Sequence, residues 1–83
     1  MAVDVYGADW CGDCRRAKDA LKRFGVEYVW HDLESEEGAA ERAVEISGQK
    51  HIPVLLYSDG AFQVEPSATD IQRKLDELGL LGE

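Results

Sequence analysis

Positive charge is scarce in this chain of 83 residues: Lys and Arg number 9 against 17 Asp and Glu, leaving a net charge of −8. Without surplus cations there is nothing to neutralise phosphates, so no nucleic-acid partner is expected, and an anionic membrane surface is disfavoured for the same reason. No apolar run approaches the roughly 18 residues a membrane span needs. Linkers, internal repeats and low-complexity stretches are missing too, so residues 1–83 are expected to form a single small domain. Cysteine occurs only twice, as Cys11 and Cys14. A disulfide between them closes too small a loop to staple a fold, so a hydrophobic core has to supply the stability. Residues 1–6, Met-Ala-Val-Asp-Val-Tyr, read as a strand rather than a signal peptide. The expected compartment is the reducing cytoplasm, where a cysteine pair serves chemistry more often than structure. Nothing in the chain demands a dimer, and a monomer is expected.

What is present alternates between strand and helix patterns. Residues 2–6 form a short strand that stops at Gly7. From 12 to 24, Ala17, Ala20, Leu21 and Phe24 recur at i, i+3, i+4, i+7, one face of a helix that Gly25 ends. Arg15, Arg16, Lys18, Lys22 and Arg23 fall off that face. A second strand is expected over 26–31, and a second helix over 35–47 with Ala40, Ala43 and Val44 inward and Gly48 as its stop. Residues 53–57 and 61–64 flank a Ser58-Asp59-Gly60 turn and read as a hairpin. Ser67-Ala68-Thr69-Asp70 has the form of a capping box, followed by a stripe of Ile71, Leu75 and Leu78. Tyr6 and Tyr57 are read as core, and Trp30 as structural. The order βαβαββα implies an α/β fold: a four-stranded mixed sheet with helices on both faces, two parallel strands joined by a crossover and an antiparallel pair added by the hairpin.

That layout sets Cys11 in the turn between the first strand and the first helix, where helix-end amides and the helix dipole favour a thiolate. Cys14 follows one turn later, near enough to pair with Cys11 and more deeply placed. Cys11 then attacks and Cys14 resolves; a C-x-x-C at such a turn in a βαβ pattern is a strong redox signal. Zinc is the first rival, but His31 and His51, the two histidines, stand at gaps from Cys14 that match no common ligand spacing, so no metal site is expected. An iron–sulfur cluster shared between subunits and a pair of inert buried thiols remain as alternatives.

Trp10-Cys11-Gly12-Asp13-Cys14-Arg15-Arg16 after a Val-Tyr-Gly strand, with His51-Ile52-Pro53-Val54 later, resembles a glutaredoxin of the thioredoxin superfamily. The resemblance covers roughly residues 2–78. Within that family the chain is most similar to the mycoredoxins, which use mycothiol where other bacteria use glutathione. Their hallmarks are Trp-Cys-Gly-aromatic-Cys-Arg-Arg and, after the hairpin, Asp-Gly followed by Asn-Pro-Ser-Ala. Here Asp59-Gly60 and Glu65-Pro66-Ser67-Ala68 stand in the second pattern. The resemblance implies a thioredoxin-like fold, a cis bond before Pro53, backbone groups of Ile52 offered to the cysteinyl part of a bound thiol, and Trp10 flanking Cys11 against a partner protein. His51 replaces a usual threonine.

Glutathione carries two carboxylates and an ammonium, and glutaredoxins that bind it usually present a cation just before the first cysteine and a Gly-Gly turn later. Here Gly7-Ala8-Asp9-Trp10 is acidic, and Glu65-Pro66 replaces the glycines, proline having no amide hydrogen to donate. Lys50 is the one cation well placed to meet a carboxylate. Mycothiol is an acetylated cysteine on a neutral amino sugar and inositol, and it needs hydroxyl partners such as Ser67 rather than charge clamps. Asp13 departs from the usual aromatic; it suits the helix dipole, works against a thiolate at Cys11 and repels anions, while Arg15 and Arg16 can offset part of its charge. The expected activity is thiol–disulfide exchange on protein–mycothiol mixed disulfides, with no bound cofactor and mycothiol, ahead of glutathione, as co-substrate. The alternatives are a thioredoxin-like donor reduced directly by a thioredoxin reductase, as for ribonucleotide reductase, an iron–sulfur glutaredoxin, and a pure docking module.

Overall fold

A computed structural model describes residues 3–80; the expected strand position at Ala2 lies outside the described residues. Its elements are β1 (Val3–Gly7), α1 (Gly12–Arg23), β2 (Tyr28–Asp32), α2 (Ala39–Ser47), β3 (Val54–Leu56), β4 (Phe62–Val64) and α3 (Ala68–Glu77). The sheet order is β2-β1-β3-β4, with β1 parallel to β2 and antiparallel to β3, and β3 antiparallel to β4. The expected βαβαββα order and mixed sheet are both present. β1 is central and flanked on both sides, and four of its five residues are buried.

Alternation along β1 sends Val3 and Val5 to one face and Tyr6 to the other. On the first face, α1 and α3 pack together over the sheet: Ala17, Ala20 and Leu21 meet Val3, Val5, Leu55, Ile71 and Leu75, with Phe24 and Leu78 at the margin. On the second face α2 covers Tyr6 and Val54, using Ala39 and Ala43, with Leu33, Ile46 and Val64 packed at the margin. The core tyrosines are as expected, Tyr6 and Tyr57 both being buried.

Both helix-bounding signals near the hairpin hold. The Ser67 hydroxyl accepts from the Asp70 amide, and the Asp70 carboxylate accepts from the Ser67 amide, each at 3.1 Å. In the turn, the Tyr57 amide donates to Ala61 at 2.9 Å, and Lys74 ties Asp59 to α3 at 2.8 Å.

The second helix is shorter than its sequence pattern predicts. It starts at Ala39 rather than Ser35, because residues 33–38 close a turn on Asp32 and Gly38 sits at φ +83°, where a helix cannot continue. The Asp32 carboxylate takes the Glu34 amide, and its carbonyl takes the amides of Ser35 and Glu36. The inward face also differs: Ala39 and Ala43 are buried and Ile46 packs beside them, whereas Ala40 and Val44 point outward. With alanines at 39, 40 and 43, periodicity alone does not choose between two adjacent faces.

Candidate active site

β1 ends at Gly7, and residues 8–11 carry the chain onto α1. Cys11 is the N-cap, with an extended backbone, and its carbonyl accepts the Arg15 amide at 3.1 Å. Its thiol is half-buried and free, at the helix end where amides lack intrahelical partners and negative charge is favoured. Cys14 points inward from the same helix, is also a free thiol, and is fully buried. Its pKa is pushed up to about 12, chiefly by burial. The Ala8 amide opposes that rise, the adjoining Cys11 sulfur adds to it, and the Lys18 ammonium pulls it down. The pair therefore divides into an accessible sulfur and a concealed one that resists deprotonation.

The concealed sulfur has a shaped seat. A methyl group at Gly7 would run into Cys14 Sγ and would come within 3.1 Å of the Trp30 ring. Gly7 is bare because sulfur and indole already occupy that space. Lys18, one helical turn beyond Cys14, lies with Nζ 3.8 Å from the centre of the Trp30 ring and 3.5 Å from the Asp9 carboxylate. Gly7, Ala8, Lys18 and Trp30 are the residues that reasoning from sequence missed as parts of this site. The i, i+4 spacing of Cys14 and Lys18 was the available signal, hidden because Lys18 reads as one of several helix-face charges.

The remaining expected residues fall into two groups. Asp13 is ion-paired with Arg16, so its carboxylate is engaged along the helix face. That pair enters the wall of a groove of about 520 Å3 between α1 and the start of α3, completed by Asp19, Arg23, Glu65, Pro66, Ser67 and Ile71. Lys50, His51 and Ile52 instead line a second groove of about 510 Å3, with Leu33, Ala40 and Val44 opposite. Neither groove counts a cysteine among its walls; the first borders the pair through Asp13, which stands between the two cysteines, and the second ends at Ile52, whose bond to Pro53 is cis. Pro53 is buried, and its carbonyl accepts the Glu65 amide at 2.9 Å, which joins the two loops. The only non-glycine residue at positive φ among those described is Glu65, at +53°, in the turn that presents Pro66. Trp10 is 67% exposed, and its indole N–H donates to Glu34 at 2.7 Å.

The two histidines have separate surroundings. The His31 ring stacks on Tyr6 and bonds Asp4 at 3.0 Å and Glu36 at 2.8 Å; His51 lies 3.7 Å from Glu65. Among the described residues, no group of three or more His, Cys, Asp or Glu side chains is arranged to hold a metal, and no helix is long and apolar enough to cross a membrane.

Comparison with known proteins agrees with this geometry. Residues 3–62 match the family model described as Glutaredoxin. The chain is 33% identical over 75 residues to a Mycobacterium tuberculosis protein classed by name as a glutaredoxin, covering 89% of each. It is 32% identical over 77 residues to Mycoredoxin 1 of Corynebacterium glutamicum, covering 92% of this chain and 95% of that one. Among solved structures, the glutaredoxin of Archaeoglobus fulgidus superposes with a TM-score of 0.77 at 28% identity, over 88% of this chain and 85% of the other.

Proposed function

Since the chain belongs to the glutaredoxin family, whose members are thiol–disulfide oxidoreductases, we propose that it reduces mixed disulfides between proteins and a neutral, hydroxyl-rich thiol of the mycothiol type. The observation that carries the reading is the groove between α1 and α3. Its walls alternate Asp13, Arg16, Asp19, Arg23 and Glu65 around the Ser67 hydroxyl, a mixed set of donors and acceptors suited to a polyol. A dicarboxylate such as glutathione meets carboxylates there, while Arg16 is already paired with Asp13 and Lys18 with Asp9. Pro66 offers no amide hydrogen. The Ser67 amide is taken by the capping box, but its hydroxyl hydrogen is still available to a sugar. The likeness to a protein named Mycoredoxin 1 supports the same assignment.

In this reading the Cys11 thiolate attacks the mycothiol sulfur of the mixed disulfide. The S–S bond to the protein breaks, the protein thiolate leaves and takes up a proton, and Cys11 carries the mycothiol. Either a second mycothiol attacks Cys11-bound mycothiol and departs as mycothiol disulfide, or Cys14 attacks Cys11 and expels mycothiol, leaving the Cys11–Cys14 disulfide for two further thiols to reduce. The two electrons come from NADPH through a reductase of mycothiol disulfide, in the cytoplasm. By the family resemblance, Trp10, Ile52 and Pro53 are assigned to the surroundings of the reacting sulfurs, and Lys50 and His51 to the approach of the protein partner.

The test follows NADPH consumption during reduction of a small mixed disulfide with three electron supplies: mycothiol and its reductase, glutathione and its reductase, or thioredoxin reductase alone. Turnover with mycothiol and little with the others is expected. Turnover with thioredoxin reductase alone makes the protein a thioredoxin-type donor and overturns the mycothiol assignment.

A further inference from the structure

We propose that Lys18 is the positioning residue for the second half of the exchange: pinned over Trp30, its ammonium stabilises the Cys14 thiolate that closes the Cys11–Cys14 disulfide. The inference rests on the reading of Cys14 as the resolving thiol. The geometry is specific to one cation. Lys18 lies one helical turn after Cys14 on the same side of α1, and its side chain is only 19% exposed. The indole face of Trp30 at 3.8 Å and the Asp9 carboxylate at 3.5 Å hold the ammonium in place. Cys14 Sγ and the edge of the Trp30 ring both crowd the space above Gly7, so the ring that holds the ammonium stands beside the seat of the thiol.

Cys14 needs such help because its own surroundings oppose charge. The groups acting on its sulfur are the Ala8 amide from the loop after β1, the Cys11 sulfur, and Lys18. Once Cys11 is tied up in a mixed disulfide it no longer carries a competing negative charge. The amide and the ammonium are then the features of this seat that favour a thiolate. The step balances as follows. Cys14 gives its proton to solvent, and its sulfur attacks Cys11 Sγ. The Cys11–Cys14 bond forms as the Cys11–substrate S–S bond breaks, and the substrate sulfur leaves with the electron pair and is protonated. Both cysteines end oxidised and the substrate disulfide reduced. Lys18 keeps its proton throughout.

The experiment uses the reduced protein and the neutral aryl disulfide dithiodipyridine, whose thiopyridone product is coloured. A fast, concentration-dependent phase reports attack by Cys11; a slow, first-order phase reports expulsion of the second thiopyridone by Cys14. Lys18→Met is expected to slow the second phase about tenfold at neutral pH, the effect of a one-unit change in thiol acidity. It moves that phase's pH profile upward and leaves the fast phase at the wild-type rate. Lys18→Arg keeps the charge over the ring and restores the slow phase. Lys18→Gln serves if the methionine variant does not fold, judged by circular dichroism. A slow phase unchanged in rate and pH profile overturns the role of Lys18, while its disappearance in Cys14→Ser keeps Cys14 as the resolving thiol. Equal slowing of both phases marks Lys18 as a prop for the fold and overturns the proposal as well. A slow phase that survives Cys14→Ser removes the reading of Cys14, and this inference with it.

Discussion

The two faces of the sheet are built on different terms. The face under α1 and α3 buries ten residues in one cluster, from Val3 and Val5 through Leu21 and Leu55 to Ile71 and Leu75. The face under α2 buries four: Tyr6, Ala39, Ala43 and Val54. Fully burying one leucine or isoleucine side chain is worth about 1.5–3 kcal/mol, so most of the apolar stabilisation sits on the first face. That is also the face onto which Cys14 is turned, against Gly7 and Trp30. The thinner face carries the charged His31 cluster and an open apolar groove instead. A disulfide tolerates little misplacement of its sulfurs, and the cysteine helix is anchored where packing fixes position most firmly. If the protein partner approaches past Lys50 and His51, as in the proposed function, it meets the more lightly packed face.

This asymmetry is breakable by substitution. The largest effect is expected from Leu21→Ala, about 2–5 kcal/mol in urea unfolding, against a clearly smaller cost for Ile46→Ala on the α2 face. Equal costs would erase the distinction between the faces. Gly7→Ala comes next, at about 1–3 kcal/mol, because the new methyl displaces Cys14 Sγ or the Trp30 ring. The same variant is expected to slow Cys11–Cys14 closure, read by thiol trapping, and a variant as stable and fast as wild type would mean the seat is loose. Ser67→Ala removes one half of the α3 cap and is expected to cost about 1 kcal/mol, with a lower melting temperature as the readout.

The smallest effect belongs to His31 on the thin face. Burial disfavours charge on its ring, but the hydrogen bonds it donates to the Asp4 and Glu36 carboxylates, and their charges, outweigh that, so its pKa is raised above the ordinary value of 6.5. The protonated ring is thus preferred more in the folded state than in the unfolded one. Its stabilisation is complete below the unfolded value and fades as pH climbs through the folded one. Melting temperature is expected to decline across that window in the wild-type protein and to decline less in His31→Gln. Parallel curves for the two would show that the Asp4–His31–Glu36 cluster is energetically idle.

Much of this was legible from the residues. Ala17, Ala20, Leu21 and Phe24 face inward on α1 as their spacing implies, the Ser67–Asp70 box caps α3, and Cys11 stands at the strand-to-helix turn. The start of α2 was not, because Glu34, Ser35, Glu36 and Glu37 imitate an acidic first helical turn, whereas their actual partners lie earlier in the chain, the Asp32 turn for the amides of 34–36 and side chains before it. Trp10 holds Glu34 from 24 residues away, and His31 holds Glu36. The seat of Cys14 was hidden for a related reason. Gly7 reads as a strand terminator and Trp30 as a strand residue; only the register that sets β2 beside β1 shows that both border one sulfur. Local pattern carries helices and caps well, and it carries contacts across the sheet poorly.

The meeting of thiol and indole above Gly7 also makes the protein its own optical gauge. Sulfur quenches an excited indole at contact, and Trp30 is half-buried whereas Trp10 stands 67% exposed in water. The two tryptophans therefore emit at different wavelengths, and the bluer emission comes from the one beside Cys14. When Cys14 joins Cys11 its sulfur changes partner and charge distribution, and the intensity of that bluer band changes with it. Redox titrations can then be read from the unlabelled protein by fluorescence.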